Sequence, residues 1–206
     1  MRFYLSSYKL GRDKRELTKL LPRNKRTAYI SNALDYSTDL EKRRRNEESD
    51  IRDLSGLGLK VEQLDLRKYF GKEGKLRAKI SEFGTIWVSG GNTFVLRQAF
   101  RLSGFDRILK DLARRKGILY GGYSAGICIL APTLKGIDIV DDPSAKPYGK
   151  NRETIWDGLG IIDYSIVPHY KSEHPESPMA SKAAAFMLEN GMQFRTLRDG
   201  EAIVIQ

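Results

Sequence analysis

The sequence predicts an α/β protein built on one doubly wound, mostly parallel sheet with helices on both faces. Three observations lead there. Short runs rich in Ile, Val, Tyr and Trp alternate with helical stretches of about 10–20 residues. The 206 residues contain no internal repeat, linker or low-complexity tract, so residues 1–206 read as a single domain. Several apolar runs end in glycine, and in such folds ligands gather at the carboxyl ends of the strands.

The elements follow in order. MRFYLSS (1–7) and RTAYISN (26–32) are short, with aromatic or β-branched residues, and predict the first two strands. Between them, residues 12–21 have helical composition, and Pro22 ends that helix. Residues 38–57 form a long charged helix, with Gly56 and Gly58 near its end. LKVEQLDL (59–66) alternates polar and apolar and predicts a third strand. Residues 75–83 predict a helix, and TIWVSGG (85–91) a short buried strand ending in glycines. Residues 92–102 and 105–115 are helical, and GILYGG (117–122) is the next buried strand. A helix starts at once over 124–130. After a loop rich in Asp, Pro and Lys (132–157), LGIIDYSIVPHY (159–170) contains another strand. Residues 179–190 form a helix capped by Gly191, and Asp199-Gly200 predicts a hairpin-type turn before AIVIQ.

Composition narrows the function. No stretch approaches the roughly 20 apolar residues of a membrane helix, and the N-terminus lacks the pattern of a signal peptide. A cytoplasmic protein with no membrane partner is expected. The one cysteine, Cys128, can form no internal disulfide, in keeping with a reducing compartment. Net charge is +10, which raises nucleic acid as a partner. The densest run, EKRRRNEESDIRD (41–53), sets acids against bases at helical spacing, so a solvated, self-paired face is expected instead. No recognition motif accompanies the charge.

Three strand ends carry chemistry: Ser89-Gly90-Gly91-Asn92, Gly122-Tyr123-Ser124 and Pro168-His169-Tyr170. Gly122-Tyr123-Ser124-Ala125-Gly126 matches G-x-S-x-G, in which a sharp strand-to-helix turn raises a serine hydroxyl above the sheet. The Ala125 N–H then points to where an oxyanion would form, and the helix adds its positive end. A serine needs a base, and the chain has two histidines. His169 ends an apolar strand; His174 lies in a polar loop and reads as a solvated surface residue. The base needs an orienting carboxylate, and spacing alone leaves Asp138, Asp141, Asp142, Glu153 and Asp157 open. A Gly90 or Gly91 N–H could supply a second oxyanion donor, while Asn92 is suited to cap the next helix. Two histidines and one cysteine offer no convincing metal spacing, so no metal or cofactor is expected. Cys128, one helical turn past Ser124, reads as buried packing.

Four blocks, WVSGGNTFVLRQAF (87–100), LYGGYSAGICILAPT (119–133), IDIVDDP (137–143) and DGLGIIDYSIVPHY (157–170), together resemble the peptidase E family, the aspartyl dipeptidases. The resemblance implies a class I glutamine amidotransferase-like fold and a serine peptidase that removes N-terminal aspartate from short peptides. It places the nucleophile on Ser124, the base on His169 and the oxyanion donors on Gly91 and Ala125. It places the acid in IDIVDDP, with Asp138 as the match and Asp141 and Asp142 left open. The implied chain order is Ser…Asp…His. Family members usually continue past AIVIQ through further strands, so the resemblance implies a sheet edge that is missing or bare there. Aspartate selectivity would require cations at the site; Lys135, Lys146, Lys150, Arg152 and Lys171 lie near it in sequence.

The expected activity is a Ser-His-Asp exopeptidase or dipeptidase acting on short peptides, as a monomer or homodimer. The alternatives are a cyanophycinase-like or other hydrolase on the same fold, and a catalytically silent binding protein.

Overall fold

The computed structural model describes residues 1–149 and 153–206. Its strands are β1 (Arg2–Ser6), β2 (Arg26–Ile30), β3 (Lys60–Gln63), β4 (Thr85–Val88), β5 (Leu119–Tyr123), β6 (Ser165–Val167), β7 (Phe194–Thr196) and β8 (Ala202–Ile205). Six make one sheet in the order β3-β2-β4-β5-β1-β8. All its pairings are parallel except β1 with β8. The helices are α1 (Lys14–Leu20), α2 (Leu40–Ser55), α3 (Glu73–Ile80), α4 (Thr93–Ser103), α5 (Phe105–Ala113), α6 (Ala125–Cys128) and α7 (Ser177–Glu189). The doubly wound α/β sheet is therefore present.

Strand periodicity explains why both faces are covered. Successive residues of a strand point to opposite sides. Phe3, Leu5, Ile30, Ile86, Val88 and Tyr120 enter one apolar cluster, with Leu76, Phe94, Ile108, Ile127 and Ala180 from the helices. Their neighbours Tyr4, Tyr29, Trp87 and Leu119 enter a second cluster, with Leu17 and Leu20 of α1 and Leu54 of α2. Buried strands with apolar residues on both sides need helices on both sides.

Capping sets several helix starts. Asp39 accepts from Lys42 N–H to begin α2, and Asn92 accepts from Val95 N–H to begin α4. The basic run pairs with its own acids, as Arg43–Glu47, Arg44–Glu48 and Arg45–Glu41. The inner face of α2 carries Asp50, which is buried and accepts from the Tyr29 and Tyr123 hydroxyls at 2.8 and 2.7 Å. Its other oxygen meets the Lys9 ammonium. This ties α2 to β2, to β5 and to the loop after β1.

Two expectations change. Asp199-Gly200 does make a turn, closed by Glu201 N–H to Arg198 C=O at 2.9 Å. It does not make a hairpin, because the strands on either side pair elsewhere. β7 runs parallel to β6 in a separate two-stranded sheet, and β8 lies antiparallel on β1. The strand read within 159–170 is three residues long and belongs to that small sheet. The edge of the main sheet next to β1 is formed by β8, with all four residues partly buried.

β4 and α6 approach so closely at the site that glycine is required. A Cβ on Gly126 would lie 2.3 Å from the Val88 carbonyl oxygen. Alanine favours helix over glycine by about 1 kcal/mol, yet here the clash dominates. Gly126→Ala is expected to cost about 1–3 kcal/mol, seen as a thermal midpoint lower by roughly 2–4 °C for each kcal/mol. An unchanged or raised midpoint would remove the close approach as a constraint.

Candidate active site

Ser124 sits between β5 and α6 with φ 49° and ψ −118°, outside the regions an L-residue prefers. Such strain persists only where the surroundings over-determine it. Here Gly122 and Gly126 flank the serine, and both lie against the Val88 carbonyl. The result is a sharp strand-to-helix elbow with the serine partly exposed. The N–H of Ala125 opens α6, and no acceptor among the described residues takes it.

The neighbouring strand end supplies Gly90 and Gly91. Gly91 has φ 136°, and a Cβ on it would lie 2.5 Å from the Ala33 carbonyl oxygen. A Cβ on Gly90 would lie 2.8 Å from the Tyr123 ring and 3.0 Å from Ser124 Cβ. The backbone N–H of Gly90 lies against the Tyr123 hydroxyl. That of Gly91 meets no acceptor among the described residues. Asn92 both caps α4 and donates from Nδ2 to the Asp142 carbonyl at 2.9 Å.

His169, just past β6, is buried and also takes a positive φ of 59°. Its backbone N–H donates to Ser7 Oγ at 2.8 Å. Its Nδ1 lies 2.7 Å from Asp199 Oδ1. Ser7 Oγ in turn donates to the same Asp199 oxygen at 2.8 Å, and Asp199 N–H donates to Ser172 Oγ at 2.8 Å. Burial pushes the imidazole pKa below its usual value and His174 adds to this, while Asp199 and Glu176 pull it back. The neutral ring with its proton on Nδ1 leaves the Nε2 lone pair free.

The carboxylate on His169 is thus Asp199 and not Asp138. Asp138 is exposed, and its Oδ1 accepts from Gly136 N–H at 2.8 Å, within the turn that opens the short 3₁₀ segment Ile137–Ile139. The order along the chain becomes Ser124, His169, Asp199. Asp142 is also turned away; it accepts from Ser144. Asp141 is closer. It lines a small cavity with Ser124, His169, Cys128 and Glu176, but its Oδ2 accepts from Thr93 N–H at 2.8 Å. His174 is likewise not a free surface residue. Its ring stacks on His169 with centroids 3.7 Å apart and planes 12° from parallel. Cys128 is buried and donates to the Ile166 carbonyl.

Ser124, His169, Gly90 and Gly91 all border one open cleft of about 390 Å³. No direct hydrogen bond joins Ser124 Oγ to His169 among the described residues; without substrate such contacts are often long. The cleft's cations are Lys9, Lys42 and Arg43. Lys9 is held by Asp50, and Arg43 by Asp35 and Glu47. The Lys42 ammonium has no carboxylate partner among the described residues. Of the lysines and arginine near the site in sequence, Lys135, Lys146 and Lys171 do not line the cleft, and Lys150 and Arg152 lie outside the described residues. Among the described residues no helix is long and apolar enough to cross a membrane.

A serine on a strained elbow at the carboxyl end of a parallel sheet, beside a carboxylate-bound imidazole, defines the class: an α/β protein with a hydrolase-type site. The chain belongs to peptidase family S51, whose model matches residues 9–206. An uncharacterized peptidase of Listeria innocua is 30% identical over 154 residues, 74% of this chain and 69% of that protein. One from Listeria monocytogenes is 36% identical over 120 residues, 58% of this chain and 55% of that protein. A Streptomyces coelicolor protein named Peptidase E is 29% identical over 137 residues, 63% of this chain and 51% of that one. The aligned part is thus about half to two thirds of these curated relatives. A solved Listeria monocytogenes EGD-e structure, provisionally assigned as a peptidase E, superposes with TM-score 0.74 at 27% identity, covering 99% of this chain and 93% of that one.

Asp141 makes a measurable prediction about the site's floor. Desolvation raises its pKa from 3.8 to about 7, against the lowering effect of the Thr93 bonds. Its folded pKa exceeds the unfolded one, so its contribution to stability is complete below about pH 4 and is lost as pH rises through about 7. Asp141→Asn keeps an acceptor for Thr93 and cannot ionise. The variant's stability relative to the wild type is expected to rise by about 2–4 kcal/mol between pH 4 and pH 8 in urea denaturation. A constant difference across that range would mean that Asp141 ionises freely in the folded protein.

Proposed function

We propose that the protein is a serine-type exopeptidase, a dipeptidase acting on short peptides, with Ser124 as nucleophile and His169 as general base. The observation that carries this reading is the strained Ser124 elbow sharing a cleft with His169, whose Nδ1 is 2.7 Å from Asp199. Membership of peptidase family S51 supports the same chemistry. Asp199 takes the role that the sequence reading gave to Asp138.

In this mechanism Ser124 Oγ attacks the scissile carbonyl as His169 Nε2 takes its proton. The Asp199 carboxylate accepts from Nδ1–H and stabilises the imidazolium as it forms. The N–H groups of Gly91 and Ala125, which meet no acceptor among the described residues, receive the oxyanion. The imidazolium gives its proton to the leaving amine. Water then repeats the sequence on the acyl-enzyme, and Ser124 is regenerated. The proton inventory closes without any cofactor.

Selectivity for an N-terminal aspartate is part of the proposal. It rests on Lys42, the cleft cation whose ammonium has no carboxylate partner among the described residues, and on the name of a Drosophila melanogaster relative, an alpha-aspartyl dipeptidase 29% identical over 133 residues. A free ammonium on the cleft wall can receive a side-chain carboxylate, whereas Lys9 and Arg43 are already neutralised by acids of the fold.

Two experiments test the reading. With Asp-Leu, Leu-Leu and an acyl ester as substrates, Asp-Leu is expected to be cleaved best. Lys42→Met should raise KM for Asp-Leu about tenfold, roughly 1.4 kcal/mol, and leave Leu-Leu unaffected. Equal loss on both substrates would rule out Lys42 as the selector. Ser124→Ala should lower hydrolysis by a factor on the order of 10⁴–10⁶, and Asp199→Asn should lower kcat by about 10⁴. Asp199 raises the His169 pKa, so its loss should also move the acid limb of kcat/KM to lower pH. Full activity in Ser124→Ala would sink the mechanism.

A further inference from the structure

We propose that His169, His174 and Glu176 form a divalent-cation site, zinc by its donor set, and that metal there silences Ser124. The silencing rests on the activity proposed above; the binding does not.

Three electron-rich atoms lie close together at the edge of the cleft. His169 directs Nδ1 to Asp199, so its Nε2 offers a lone pair. His174 Nδ1 accepts from Glu176 N–H at 3.2 Å and is also unprotonated in that bond. Glu176 Oε2 lies 3.8 Å from His169 Nε2 and 3.9 Å from His174 Nδ1. One ligand atom from each residue falls within 4.8 Å of the others. No lysine or arginine among the described residues pairs with the Glu176 carboxylate. Two imidazole lone pairs and a carboxylate with no cation between them are the donor set that a borderline metal ion selects.

The surroundings suit zinc. Two histidines and one glutamate, with a fourth position open to solvent, are a recurrent zinc arrangement. Tetrahedral zinc with bonds of about 2.0–2.1 Å sets its ligand atoms roughly 3.3–3.4 Å apart, so the two separations from Glu176 need to close by about 0.5 Å. His174 must tilt out of its stack to aim its lone pair inward. It lies on the loop between β6 and α7 with 21% of its side chain exposed, and Glu176 is 44% exposed. The metal would displace the Glu176 N–H bond to His174. Asp199 already holds the far nitrogen of His169, as an outer carboxylate does in many zinc sites. The two histidines are five residues apart across a loop, a spacing that carries no metal signal in sequence.

The consequence follows from one atom. His169 Nε2 cannot both bind a metal and take the Ser124 proton. Zinc would therefore act as a reversible inhibitor, removed by a chelator, with no change in the Ser124 elbow.

The test uses the full chain freed of metal with EDTA and titrated with zinc chloride by calorimetry, beside peptide hydrolysis at the same zinc concentrations. One zinc per chain is expected, with an inhibition constant equal to the dissociation constant. His174→Ala and Glu176→Gln, each confirmed folded by its thermal midpoint, should weaken binding by at least about 10–100-fold. Ser124→Ala should bind zinc like the wild type, which separates the site from activity. An inactive wild type that still binds zinc with this residue dependence would support the site and overturn the peptidase reading. Wild-type affinity in both His174→Ala and Glu176→Gln, or no binding by the folded wild type at 100-fold molar excess, would overturn the site. Binding without inhibition would overturn the silencing.

Discussion

The carbonyl oxygen of Val88 is the point around which the site is built. It ends β4, and the first turn of α6 folds directly over it. Added Cβ atoms on Gly122 and Gly126 would lie 2.6 and 2.3 Å from that oxygen. With no side chain at either position, the chain leaves β5 and enters α6 within one residue. Ser124 takes the φ of 49° that this geometry demands. The same packing brings Gly90 against Tyr123 and Ser124, so the two glycine-bearing strand ends close on each other. A bulkier residue at any of these positions would push β4 and α6 apart and release the strain that presents the serine.

The electrostatics of the site come from further away. Asp199 stands on a turn between two strands that belong to different sheets, with β7 in the small sheet and β8 on the edge of the large one. Ser7, just past β1, bonds both the His169 backbone and the Asp199 carboxylate, so β1 acts as a strut between imidazole and acid. Beneath Ser124, Asp50 gathers Tyr29, Tyr123 and Lys9 from three parts of the chain. Buried carboxylates of this kind are costly unless fully satisfied. Asp50 has three donors on its two oxygens. At Asp141, desolvation by burial pushes the carboxyl toward its neutral form.

His169, His174 and Glu176 show how a loop changes meaning once folded. KSEHPES reads as polar and solvated. In the structure it returns over the cleft, stacks one imidazole on the other and sets a carboxylate at their edge. The pairing depends on the positive φ of His169 and Lys171, which turns the chain back at the end of β6. Nothing in the residue types announces that reversal, since neither position is glycine.

Local chemistry made most of the fold and half of the site legible. Strand and helix alternation, the Asn92 cap and G-x-S-x-G are all short-range patterns, and short-range sterics and hydrogen bonds enforce them. Ser124, His169 and the glycine pair could be picked out because each ends an apolar strand. The carboxylate could not. Asp138 is nearer in sequence and lies in the right block, but its oxygen satisfies Gly136 N–H in a local turn. Asp199 reaches His169 only because β8 crosses to pair with β1, a contact between residues about 200 positions apart. Which cleft cation lacks a carboxylate partner among the described residues was equally hidden, because Lys9 and Arg43 are neutralised by acids that only packing brings near. The sequence by itself determined the sheet, the elbow and the imidazole, where the forces act between near neighbours. Tertiary structure decided the acid, the free lysine and the histidine pair, because their partners are set by long-range strand pairing and burial, which no local pattern encodes.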